Sequence, residues 1–385
     1  MPLTHAVTLR GITWNHSRGF TPLAATAQRF HELQPDIEIA WARRSLQDFA
    51  DKPLDRLAEE FDLLVIDHPS VGFAEKTKAL ISLSSYVPDE SLRMRGQESV
   101  GASNESYCLN GEQWALAIDA AAPVSVWRPD LLERHGGAPT DWGELIQLGR
   151  KGLVACPSIP LDVYGNFLNL CVSLGGHIFP DEERVVAAET GAAALGMLRE
   201  LSSIIPRECL HLNPIRILEM MAQQDDVAYC PFIYGYSNYA RPGYALHRLR
   251  FGKPVRLAAD VEPRTMLGGA GLAISAHCSN PQAAIDYALY VASPEIQRGL
   301  YFQAGGQPAL RSAWTDVEAN RMTGNFFAET LPSLKRAFVR PRYYGYLDFQ
   351  DNAGRVIHTY LREGGLTLDV LANLDAFYRD SLESR

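Results

Sequence analysis

Three short polar stretches, each directly behind an apolar run, hold most of the residues able to do chemistry: Trp14-Asn15-His16-Ser17-Arg18, Arg43-Arg44-Ser45 and Asp67-His68-Pro69-Ser70. A guanidinium presents a planar fork of donors that matches a carboxylate, so Arg18 and Arg44, with His16 and His68, suit a small anionic ligand. His16, Asp67 and His68 would also serve acid–base or metal chemistry if their loops met, because an imidazole beside a carboxylate can be held at a useful pKa. A second group is aromatic. Tyr164 and Asn166 come first, then Phe232, Tyr234, Tyr236 and Asn238 in the stretch opened by Pro231. Aromatic residues at alternate positions fit a half-buried strand packed on a core. They also fit a sugar cleft, where rings stack on apolar faces and a few polar groups fix orientation, and Gly235 marks a place where backbone and ligand approach closely. Arg340-Pro341-Arg342-Tyr343-Tyr344-Gly345-Tyr346 is a third, aromatic-basic cluster, better suited to the surface than to a cleft.

Several chemistries lack their signatures. There is no H-E-x-x-H or G-x-S-x-G, and no C-x-x-C pair among Cys108, Cys156, Cys171, Cys209, Cys230 and Cys278, so neither a metal nor a cofactor is implied. The cysteines are scattered and mostly flanked by apolar residues, as buried free thiols would be. Gly268-Gly269-Ala270-Gly271 precedes an apolar strand rather than opening a helix, which excludes a dinucleotide or P-loop reading. The backbone of Gly268 and Gly269 remains a candidate ligand contact. A net charge of −9 argues against a nucleic-acid partner, since phosphate binding needs a basic face.

The elements that must position these residues follow from periodicity. Apolar runs predict strands over Ala6–Trp14, Ile37–Ala42 and Phe61–Ile66, separated by helices over Pro22–Leu33, capped by Thr21, and Lys52–Glu60. Such alternation implies a parallel sheet with crossover helices, whose ligand-bearing loops lie beyond the carboxyl ends of the strands. Further on, a strand over Leu153–Cys156, helices around Tyr164–Leu174 and Gly191–Ile205, and a strand over Val227–Phe232 build a second α/β unit. Strands over Arg256–Ala259 and Leu267–Ile274, a helix over Asn280–Val291, a helix start at Ser293-Pro294-Glu295 and a largely helical tail over Asn320–Ser384 complete the chain. With 385 residues, 46% of them hydrophobic and 21% charged, it suits two domains with a core each. No apolar run approaches the roughly 18–20 residues that span a bilayer.

Between the two units, Trp114–Ile118 reads as a strand that reaches Asp119, crosses small residues and Pro123, and resumes as a strand over Val124–Trp127. Asp130 opens a helical pattern, and Asp141 and Glu144 stand at capping-box spacing. This passage resembles the lobe crossover of the family 1 extracellular solute-binding proteins, the substrate receptors of carbohydrate-type ABC importers. Phe61–Asp67 resembles the third strand of that family, and Asp225–Phe232 the strand behind its Gly-Asp turn, although Gln224-Asp225 stands in place of the usual Gly. Gly268–Ser275 with Asn280–Gln297 is the most specific match, and Phe302–Ala309 resembles the turn before the chain re-enters the second lobe.

The resemblance covers essentially the whole chain. It implies an α/β, two-lobe, periplasmic-binding-protein-like fold of type II with a ligand cleft between lobes: 1–119 and 267–311 in the first lobe, 120–266 and 312–385 in the second. It implies a receptor, not an enzyme, that closes on a sugar or sugar-derived acid and hands it to ABC permease subunits. Ligand residues would be Trp14, His16, Arg18, Arg44, Asp67, His68, Asp119, Tyr164, Phe232, Tyr234, Tyr236, Gly268 and Gly269. Asp119 would either bond ligand hydroxyls or fix the hinge. The alternative is a cytoplasmic enzyme on the same scaffold using His16, Asp67 and His68. Met1-Pro-Leu-Thr-His5 lacks the features of a signal peptide. The expected location is therefore periplasmic if such a peptide has been removed and cytoplasmic otherwise.

Overall fold

A computed structural model describes residues 7–46, 54–258 and 260–383. Ala6, Lys52, Pro53, Ala259 and Ser384, which the sequence places at the ends of expected elements, lie outside the described residues. Among the described residues the strands are β1 (Val7–Trp14), β2 (Ile37–Arg44), β3 (Leu63–Ile66), β4 (Cys108–Leu109), β5 (Glu112–Gln113), β6 (Leu116–Ala121), β7 (Pro123–Trp127), β8 (Tyr229–Tyr234), β9 (Arg250–Gly252) and β10 (Gly268–Ile274). The chain forms two compact units. The first comprises the chain up to Ala121, Gly268–Ala319 and Val339–Tyr344; the second comprises Ala122–Leu267, Asn320–Phe338 and Gly345 onward. Residues 312–319 and the short return 339–344, expected in the second lobe, thus group with the first unit.

The first unit is built on a five-stranded sheet in the order β2-β1-β3-β10-β6. β1 pairs in parallel with β2 and β3, while β10 runs antiparallel to both β3 and β6. Four strands therefore point one way and β10 points back. β3 and β6 are buried along their whole length, as strands covered on both faces must be. The helix after β1 runs over Ser17–Leu33, a turn longer than Pro22–Leu33. His16 supplies the cap: its Nδ1 accepts the backbone N–H of Arg18 at 2.9 Å. Pro22 therefore sits inside the helix, where its missing N–H leaves the Arg18 carbonyl without its helical donor. Burial of Leu23, Thr26, Ala27 and Phe30 on one face compensates.

In the second unit a three-stranded antiparallel sheet, β8-β7-β9, is extended by the segment around Val154, which bridges Tyr229 in parallel. Helix Pro160–Ser173 starts a turn earlier than Tyr164 because Pro160 occupies its first position. It packs against Tyr346–Glu363 and Ala188–Ile204, with Thr367–Leu382 closing the cluster. The expected strand at Arg256 reduces to isolated bridges, Arg256 with Asp141 and Ala258 with Val261, and β9 takes its place in the sheet. Asp141 does cap the helix Trp142–Gly149, its carboxylate accepting the Glu144 N–H, while Glu144 reaches back to the N–H of Thr140 at 2.8 Å. All six cysteines are free thiols, and five of them are buried. No helix among the described residues is long and apolar enough to cross a membrane.

Candidate functional site

Because β1, β2, β3 and β6 share one direction, their carboxyl ends share one edge of the first unit's sheet, and β10 begins there. Trp14 is the register partner of Arg44, Gly271 of Ile66, and Gly268 of Ala121. That edge gathers the polar loops noted in the sequence, with Asp119 and the glycines of β10 beside them. The sites are not equivalent, however, because most of their charges are answered within the unit.

Arg18 and Asp119 are the clearest case. Arg18 Nε donates to Asp119 Oδ2 at 2.8 Å and its terminal nitrogen to Oδ1 at 2.5 Å, with both side chains almost completely buried. Burial pushes the Asp119 carboxyl up and the guanidinium pulls it back. Asp119 lies inside β6 rather than after the strand, opposite Ala270 at a bulge. Gly269 explains how the backbones come so close there: its φ is +107°, and a Cβ would sit 2.3 Å from the Asp119 carbonyl oxygen. Gln307 closes the other side, its Nε2 donating to the Ala120 carbonyl at 2.8 Å.

A second cluster forms where the return segment 339–344 meets β3. Asp67 accepts hydrogen bonds from the Arg340 guanidinium and from the backbone N–H of His68, and His68 Nδ1 lies 3.2 Å from the same carboxylate. His68 Nε2 accepts the backbone N–H of Arg340 at 3.3 Å. The imidazole is thus clamped between a carboxylate and an amide as a neutral tautomer. Burial, reinforced by the Arg340 cation, lowers its pKa to about 4. Asp67 stays ionised well below the usual carboxylate range, because Arg340 and His68 outweigh its burial. Arg342 donates to the carbonyls of Glu105 at 3.0 Å and Ser106 at 3.1 Å, Tyr344 stacks on Phe73, and a Cβ on Gly72 would strike the Arg342 carbonyl at 1.8 Å. The Arg340–Tyr346 cluster is therefore neither open surface nor a free basic patch through Arg340, which is buried.

The remaining residues of this edge divide. Trp14 is buried under the first helical turn, where Gly19 leaves room for its indole. His16 is half-buried as the helix cap, its pKa lowered to about 3 by burial and by Arg18. Arg44 is buried at the end of β2, while its neighbour Arg43 lies over the Phe20 ring at 4.7 Å. Among the described residues no group of three or more His, Cys, Asp or Glu is arranged to hold a metal ion.

In the second unit, Tyr234 is half-buried at the end of β8, opposite Pro123, where β7 begins. Tyr236 follows, edge-on to Tyr239 at 6.5 Å. Phe232 and Tyr164 are core residues: Phe232 is 1% exposed, and Tyr164 bonds Tyr346 through their hydroxyls at 2.9 Å and meets Phe349 edge-on. Gly235 is required by packing, since a Cβ would lie 2.9 Å from the Phe326 ring. One residue at this edge escaped the sequence reading. Asp162 stands in the first turn of helix Pro160–Ser173, and its Oδ2 is sealed from solvent with no hydrogen-bond partner among the described residues. The signal was present in Pro160, which as a first helical residue puts Asp162 in the opening turn.

No family model matches the chain, and no curated protein sequence does. Solved structures do. Maltose-bound MalE3 of T. maritima superposes with a TM-score of 0.83 at 18% identity, over 97% of this chain and 100% of that one. The fold is that of the solute-binding proteins. A solute-binding protein of an ABC transporter from Agrobacterium radiobacter K84, in complex with ribitol, gives 0.83 at 18% identity over 98% and 99% of the two chains. The GacH receptor of Streptomyces glaucescens GLA.O, solved with acarbose, gives 0.80 at 16% over 98% and 99%. The two α/β units and the repeated passage of the chain between them are thus those of a known architecture.

Proposed function

We propose that this chain is the solute receptor of an ABC importer and that it binds a sugar without transforming it. The observation that carries the reading is the agreement in fold, end to end, with receptors of maltose, ribitol and acarbose. Tyr234, half-buried at the end of β8, is the aromatic residue of the second unit whose face suits a sugar ring, and the carboxyl edge of the first unit's sheet carries that unit's polar loops. The permease subunits and a location outside the cytoplasm belong to the same reading.

The geometry favours this over an enzyme. His68 has both ring nitrogens engaged by Asp67 and Arg340, and His16 caps a helix, so neither imidazole is poised as a base. The sugar-acid variant loses support with Arg18, whose fork already holds Asp119. Calorimetric titration with maltose, ribitol and other neutral sugars tests the proposal. Saturable binding without product, weakened tenfold or more in Tyr234→Ala, is expected; turnover of a bound sugar would overturn it.

A further inference from the structure

In the first unit Asp119 and Asp67 are answered by Arg18 and Arg340, whereas in the second one sealed carboxylate oxygen has no hydrogen-bond partner among the described residues. The segment around Val154 runs parallel to β8, so both leave the sheet at the end that carries Tyr234, and helix Pro160–Ser173 opens there. Asp162 occupies the first turn of that helix beside Val163 and Tyr164, which fill the core. No hydrogen-bond donor among the described residues reaches its sealed Oδ2. Desolvation alone acts on the group and pushes its carboxyl up to about 8, so no cation offsets the burial. A half-buried carboxylate whose inner oxygen is sealed and unpartnered, at the end of the sheet that carries Tyr234, is placed to take a ligand.

Resting on the receptor reading above, we propose that the solute is an amino sugar whose protonated nitrogen pairs with the carboxylate of Asp162. A neutral hydroxyl returns one ordinary hydrogen bond, whereas an ammonium supplies a charge-assisted bond that favours the ionised carboxylate. Tyr234, half-buried at the same edge of the unit, offers a ring face to a sugar and to a cation alike. The net charge of −9 draws cations toward the protein. Binding converts the Asp162 carboxyl to carboxylate, and its proton passes to the buffer as the ammonium takes its place.

The test is calorimetry at pH 7 with a β-1,4-linked glucosamine disaccharide and with cellobiose, its hydroxyl-bearing counterpart. We expect the amino disaccharide to bind at least tenfold tighter, with proton release seen as a heat that depends on the buffer's ionisation enthalpy. Asp162→Asn, or Asp162→Ser should the first variant fail to fold, should erase the preference. Equal affinity for the two sugars, or a preference that survives the substitution, overturns the inference. If neither disaccharide binds while maltose or ribitol does, the inference falls and the receptor reading stands. If no sugar binds, both fall.

Discussion

Arg18 and Asp119, 101 positions apart in the sequence, are joined by two hydrogen bonds that tie the first turn of helix Ser17–Leu33 to the strand leading into the second unit. Removing either partner strands the other charge in the interior. Asp119→Ala should cost about 3–5 kcal/mol, read as a lowered urea midpoint, whereas replacing the pair together with Met and Leu should recover most of it. An Asp119→Ala protein of unchanged stability but reduced sugar affinity would assign Asp119 to the ligand instead.

Acid should weaken the first unit selectively. His16 and His68 are held neutral, at about 3 and about 4, while in the unfolded chain they take protons near 6.5. Below pH 6.5 the unfolded state binds more protons, so stability falls as pH drops toward 4, by up to about 1.4 kcal/mol per pH unit per histidine. Asp67, whose folded carboxyl is depressed, adds its loss only below about pH 4. Unfolding midpoints at pH 7.5, 6 and 5 should show the slope, and His68→Gln should flatten it. In Arg340→Ala the His68 imidazole should titrate nearer its ordinary value by NMR, because the guanidinium helps to hold it down.

Glycine substitutions should report on two close approaches. Gly72→Ala drives a methyl into the Arg342 carbonyl, and Gly269→Ala adds a Cβ at positive φ against the Asp119 carbonyl. Neither neighbour is the free end of a side chain, so each substitution should lower stability by about 2 kcal/mol or more. Limited proteolysis of Gly72→Ala should cut first around Val339–Tyr344, whose seat that glycine forms.

Asp162 should show the opposite pH behaviour to the histidines. Its folded carboxyl is raised, so between about pH 4 and pH 8 the folded state binds more protons and loses stability as pH rises. Asp162→Asn removes that term, and its stability relative to the natural chain should improve by ~1–3 kcal/mol between pH 4 and pH 8 in denaturant titrations.

What the sequence makes legible is whatever is local or periodic. The strand–helix alternation, the Asp141 cap, the opening of the helix Pro281–Val291 behind Asn280 and the run of small residues in β10 all follow from neighbours a few positions apart. The Asp119 partner does not, because only the sheet order brings Arg18 to it. Arg340 reads as surface for the same reason, since Asp67 lies 273 positions away. Tyr164 and Phe232 illustrate a different limit: an aromatic residue near a sheet's edge carries no local sign of whether its ring faces inward, and both are core.

The strand order of the first unit also bears on synthesis. β10 lies between β3 and β6, yet it is made only after most of the second unit. Until then the nascent chain holds two strands destined for the interior, β3 and β6, each with an unmatched edge and no strand to join them, a state open to mispairing and aggregation. A ribosome that stalls before Ile274 therefore leaves a fragment that cannot complete its sheet, however much of its sequence has already been translated.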